Sequence, residues 1–229
     1  MVLYDLINFI TGRISFIEFL QFTIFAAIAV VIAMSVHECC HALVSYWFGD
    51  NTAKYQGRIS LNPFRHMNLI GTIALLLIGF GWANPVMINS RNYKKPRLGT
   101  AVTAAAGPVS NLLTSFIFSF LYILIYFKLG LNVSGIFWQN FANLFMYIIL
   151  INISFAIFNL IPFPPLDGSK IVGEILPLKY RYKYYALERY SMIFFFALII
   201  FLRSFDFLAI LNRNIVSFFI SASAAMLGI

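Results

Sequence analysis

The amino-acid sequence predicts an all-α polytopic membrane protein of about five to six transmembrane helices, with a short re-entrant or β-ribbon element among them. Three observations predict it. Hydrophobic residues make up 61% of the 229 residues and charged residues only 10%, and the mean hydropathy of +0.86 is that of a chain that lives in lipid. Apolar runs of about 20 residues recur between polar stretches. The 26 phenylalanines and 12 tyrosines suit lipid contact and interfacial belts. The adjacent pair Cys39 and Cys40 cannot build a disulfide framework. No cleavable signal peptide is evident, because Asp5 precedes any basic residue and the first apolar stretch breaks at Asn8. Residues 1–229 read as a single membrane-embedded domain, with a core over about 20–180 and accessory helices over 186–229.

The N-terminal dozen residues read as an interfacial or loosely packed segment. The first spanning helix runs from about Phe16 to Phe48 and stops at Gly49-Asp50-Asn51. It exceeds the ~20 residues a bilayer needs, so it tilts or projects into water. Asn51 to Asn68 is polar and carries Lys54, Arg58 and Arg65; its alternating piece from Gly57 to Leu61 is the candidate β-ribbon. Ile70 to Phe80 is apolar but too short to span, and reads as re-entrant or buried, entering and leaving on one side. A basic loop with Arg91, Lys94, Lys95 and Arg97 leads into a helix from about Leu98 to Phe127, where the small run Ala104 to Gly107 favours close packing. The next helix runs from about Phe137 to Leu160 and is stopped by Pro162, Pro164 and Pro165. A further span runs from about Ala186 to Leu202. The apolar stretch from Phe207 onward is interrupted by Asn212-Arg213-Asn214, so crossing and re-entry are both open for it.

Against this background His37-Glu38-Cys39-Cys40-His41 stands out, near the end of a run that is apolar from Ile24 to Val36. Four residues of helix turn through about 400°, which puts His37 and His41 about 40° apart on one face, within reach of one metal ion. A charged side chain at bilayer depth costs roughly 2.5 to 3.5 kcal/mol, so Glu38 needs a partner or a task, and its place beside the histidines suits it to handle a water at the metal. Zinc accepts imidazole nitrogen and carboxylate oxygen, and a catalytic site keeps three protein ligands with one position open. Two histidines therefore need a third ligand. Asp167, in the turn Leu166-Asp167-Gly168 at the membrane edge, is favoured over its usual role as a turn former, with His66 in the basic loop as the rival. The two cysteines read as small core residues.

Charge placement supports the same convergence. If the first helix ends in the cytoplasm, loops 49–69, 82–97 and 161–189 face inward and hold 12 of the 16 Lys and Arg, while Arg13, Lys128 and Arg203 fall opposite. That asymmetry satisfies the positive-inside rule, sets the N-terminus outside and puts His37, His41 and Asp167 near one cytoplasmic end. The net charge of +8 is explained by these loops, and no nucleic-acid motif accompanies it, so no nucleic-acid partner is expected.

Three motifs together, His37-Glu38-x-x-His41, Gly107-Pro108-x-x-Asn111 and Asn159-x-x-Pro162-x-Pro164-x-Leu166-Asp167-Gly168, resemble the site-2 protease family of intramembrane zinc metalloproteases. The likeness covers roughly residues 20 to 180 and is nearest to the small bacterial and archaeal branch without PDZ or CBS domains; Asn68-Leu69 and Asn84 depart from that branch. The resemblance implies one zinc per chain held by His37, His41 and Asp167, with Glu38 as general base. It places Asn111 and Asn159 by the site, to hold substrate or stabilise an oxyanion. It also implies a transmembrane protein or peptide as substrate, in a multi-pass protein of a prokaryotic cell membrane. The competing reading is a polytopic metal-binding or metal-transport protein, which would repeat such ligands along a pathway; no such ladder is visible. Neither substrate identity nor oligomeric state is legible.

Overall fold

Long apolar runs become long helices because lipid offers the backbone no hydrogen bonds. A computed structural model describes residues 2–78, 84–128, 135–193, 195, 197–198 and 207–229. Helix α1 is Val2–Ile10 and α2 is Phe16–Trp47, the latter 32 residues long. Ser15 starts α2 with a capping box: its hydroxyl accepts the Glu18 N–H, and the Glu18 carboxylate accepts the Ser15 N–H at 2.8 Å. The helix stops at Gly49, whose φ of +110° an L side chain rarely adopts. At ~1.5 Å per residue such a helix is nearly 50 Å long and overshoots a bilayer core of ~30 Å, as expected.

A short helix α3 (Thr52–Tyr55) follows. The expected β-ribbon over Gly57–Leu61 does not form, and no strand is present among the described residues. Gly57 turns there with φ +67°, and the Arg58 guanidinium folds onto the Arg65 carbonyl, so the piece is wrapped locally and finds no partner strand. Helix α4 (Leu69–Ile78) has 10 residues, too few to cross. Beyond it Asn84 returns to the start: its N–H donates to His66 O at 2.8 Å, and its side chain meets Asn68 and Met67. The stretch thus leaves and rejoins the same end of the molecule, as expected of a re-entrant element; residues 79–83, which include the end of the expected segment at Phe80, lie outside the described residues.

The bundle is built from α2, α5 (Pro96–Ile123, continued by a π turn to Lys128), α6 (Ile136–Leu160) and α9 (Phe207–Leu227). These four are long and apolar enough to cross a membrane, which makes this a multi-pass all-α membrane protein. Small and polar residues seat α5 on α6: Ser115 and Ser119 are fully buried, and the Ser115 hydroxyl donates to Ile149 O at 2.9 Å. Ile149, Ile153 and Val216 form the core where α9 joins. Ile17, Ile24 and Ile28 on α2 and Leu113 and Ile117 on α5 face outward, toward lipid.

Helix α9 is continuous through Asn212-Arg213-Asn214. The Asn212 amide finds the Ser154 hydroxyl at one end, and Leu227 O accepts Lys128 Nζ at 2.9 Å at the other, so the helix runs the length of α5 and α6. The expected span from Ala186 to Leu202 falls partly outside the described residues; its first residues, Ala186–Tyr190, form a 3-10 turn. Between α6 and that turn lie α7 (Asp167–Ile175) and α8 (Leu178–Tyr185).

Candidate metal and catalytic centre

The last turns of α2 carry His37, Glu38 and His41 to the wall of a cavity of about 500 Å3. Asp167 reaches the same point from the first residue of α7. Gly168 makes that possible, because a Cβ there would strike the carbonyl oxygens of Leu160 and Ile161 where α7 folds back on α6. Gly107 does the same from α5: a Cβ would lie 2.5 Å from both His37 Cε1 and His41 Nε2. The described His, Cys, Asp and Glu residues make one group able to hold a metal, and it is His37, His41 and Asp167.

The hydrogen bonds fix which ring atoms face inward. His41 Nδ1 lies 2.6 Å from the Thr103 carbonyl, which can only accept. His37 Nδ1 lies 2.7 Å from Asn111 Oδ1, and Asn111 spends its own amide hydrogens on Ala33 O and Asn152 Oδ1. Both Nδ1 atoms therefore carry hydrogen, and in neutral rings both Nε2 atoms are bare. Those two bare nitrogens sit 3.0 Å apart, each 3.1 Å from Asp167 Oδ2. Three electron-rich atoms converge with no donor between them, which calls for a cation. A zinc ion with bonds of about 2.0–2.1 Å holds tetrahedral ligand atoms about 3.3 Å apart, so the donor set fits it to within a few tenths of an ångström. The outward Nδ1 bonds are the outer support that orients metal-binding histidines.

Asp167 is buried, with Oδ2 turned to the two Nε2 atoms. Its second oxygen faces Lys170 Nζ at 3.6 Å, three residues on along α7. Glu38 is half-buried on the cavity wall, and its Oε2 accepts the Val86 N–H at 3.1 Å. Asn159 lines the cavity, its amide donating to Phe155 O at 3.0 Å. Asn111, expected beside the substrate, is fully buried behind His37. The rival ligand His66 is elsewhere: its Nε2 donates to Ser60 O at 2.7 Å and it does not join the metal group. Sequence reasoning missed the Thr103 carbonyl, which has no side-chain signature. It also missed Asn152, whose place mid-helix in an apolar run was a usable signal.

The model of Peptidase family M50 matches residues 25–202. The chain belongs to peptidase family M50. The expected likeness to site-2 proteases, and with it the expectation of a zinc metalloprotease, is borne out. YwhC of Bacillus subtilis (strain 168), provisionally described as a zinc metalloprotease, is 41% identical over 176 residues, covering 77% of this chain and 80% of that protein. Rip2 of Mycolicibacterium smegmatis (strain ATCC 700084 / mc(2)155), described in the same terms, is 23% identical over 149 residues, covering 60% of this chain and 52% of its own length. No solved structure gave a significant match.

Proposed function

We propose that this M50 peptidase hydrolyses peptide bonds in transmembrane segments of membrane proteins, with one zinc per chain held by His37, His41 and Asp167 and with Glu38 as general base. The observation that carries the reading is the bare-nitrogen, carboxylate triangle at the end of a membrane helix, with the Glu38 carboxylate on the same cavity wall. Zinc, when bound, supplies a Lewis acid that activates water near neutral pH and polarises the scissile carbonyl. Glu38 takes the proton of the attacking water and returns it to the leaving amine. Val86 N–H holds that carboxylate toward the cavity before substrate arrives. Asn111 holds the His37 ring in its metal-facing tautomer, and Asn159 on the open wall is the amide suited to the substrate or an oxyanion. A helical substrate keeps its carbonyls hydrogen-bonded, so it must unwind to be cut. The catalytic core is residues 20–180, and 186–229 are accessory.

The basic residues Lys54, Arg58, Arg65, Arg91, Lys94, Lys95 and Arg97 lie in segments at the end of the bundle that carries the site, which supports a cytoplasmic orientation. The described residues hold no second cluster of metal-binding groups, so nothing favours the transport reading.

The test is cleavage of a model single-span peptide by the purified protein in liposomes. Zinc chelation should stop cleavage and re-addition of zinc should restore it; cleavage that persists at full rate in the zinc-free protein would refute the assignment. Asn111→Ala should weaken zinc affinity by about 10- to 100-fold, read by competition with a chromogenic chelator. An unchanged affinity would leave Asn111 without the role given to it here.

A further inference from the structure

Asp50 is a buried carboxylate that the proposed chemistry does not use. It is 0% exposed, three residues past the end of α2, and both of its oxygens accept hydrogen bonds. Oδ1 accepts the Thr52 hydroxyl at 2.6 Å, the Thr52 N–H at 3.1 Å and the Asn92 amide at 2.8 Å. Oδ2 accepts the Asn89 N–H at 2.8 Å and the Ser45 hydroxyl at 3.3 Å. Burial opposes ionisation, but the Asn89, Thr52 and Asn92 donors prevail and hold the carboxyl below its ordinary value. A group so placed is a fixed charge organising its donors.

Two routes lead from this carboxylate to the site. The first runs along the segment Asn84–Asn89: Asn89 is tied to Asp50, and three residues earlier the Val86 N–H grips Glu38. The second runs through side chains. The Ser45 hydroxyl that reaches Asp50 accepts Tyr93 OH at 2.8 Å, Tyr93 OH meets the Thr103 hydroxyl at 3.2 Å, and the Thr103 carbonyl accepts from His41. The Lys94 N–H also donates to Phe48 O at 3.2 Å, so both ends of the stretch 89–94 are pinned to the end of α2.

We propose that Asp50 is a positioning residue for the peptidase site, holding the 84–94 segment against α2 so that Glu38 and His41 keep their working orientation. The inference rests on the proposed role of Glu38. It is tested on the full-length zinc-loaded protein as wild type, Asp50→Asn and Asn92→Ala, with zinc per chain, kcat and KM on the single-span peptide, and hydrogen–deuterium exchange over residues 84–93. Asp50→Asn should keep zinc near one per chain, expose the segment to faster exchange and lower kcat by about tenfold or more, while KM moves by less than about threefold. Asn92→Ala removes one donor from the exposed side and should act in the same direction, lowering kcat by about two- to fivefold. If Asp50→Asn fails to fold, Asn92→Ala decides by the same readings. Faster exchange with unchanged kcat would reduce Asp50 to a merely structural anchor and overturn the proposal, as would unchanged exchange in both variants. A wild type that binds zinc and cleaves nothing would instead sink the peptidase reading, and the exchange data would still decide whether Asp50 holds the segment.

Discussion

Glu38→Gln is expected to bind zinc as the wild type does and to cleave the single-span peptide about 10²- to 10⁴-fold more slowly. The change preserves side-chain volume and can still meet the Val86 N–H through its amide oxygen, but an amide cannot take a proton from water. The metal ligands are untouched, since none of the four contacts that orient His37 and His41 from outside or join them to Asp167 involves Glu38. Zinc analysis and rate must be read on the same preparation. Loss of zinc with activity would make Glu38 a structural support, and retained activity would remove it from the chemistry.

Gly107→Ala is expected to abolish zinc binding while leaving the helix intact. On propensity alone an alanine in the middle of α5 should stabilise by roughly 0.5–1 kcal/mol. The added methyl, however, would sit 2.5 Å from His41 Nε2 and 2.6 Å from His37 Nε2, in the space between α5 and the ligands. Neither ring can swing clear without giving up the Nδ1 bond to Thr103 or Asn111. Occupancy should fall below about a tenth of the wild-type value, given that second-sphere losses alone cost 10- to 100-fold, with unchanged helical circular dichroism. Zinc near one per chain in this variant would mean that the α5 backbone yields easily and that the packing drawn around the ligands is looser than the distances indicate.

The helices were legible because lipid makes apolar length a nearly sufficient signal: a first span expected at Phe16–Phe48 is found at Phe16–Trp47, and one expected at Phe137–Leu160 is found at Ile136–Leu160. The polar Asn212–Asn214, which left crossing and re-entry both open, do not interrupt α9. The Asn212 amide has the Ser154 hydroxyl as a partner, while Arg213 and Asn214 are exposed. The β-ribbon failed because alternation over a few residues says nothing about whether a second strand is at hand. At the site, residues whose side chains bear the chemistry could be read from spacing, as His37, His41 and Asp167 show. Groups that act through the backbone could not: the Thr103 carbonyl and the Val86 N–H leave no trace in residue type. Asn111 was found by motif, yet only the fold reveals that its amide is turned to His37, Ala33 and Asn152 and away from the cavity.

X-ray absorption at the zinc edge of the purified wild-type protein is the most direct test of the ligand set. Two imidazole nitrogens, a carboxylate oxygen and one further light atom at about 2.0–2.2 Å is the predicted shell. A sulfur scatterer near 2.3 Å, which only Cys39, Cys40 or a methionine could supply, or a protein that takes up no zinc, would contradict it.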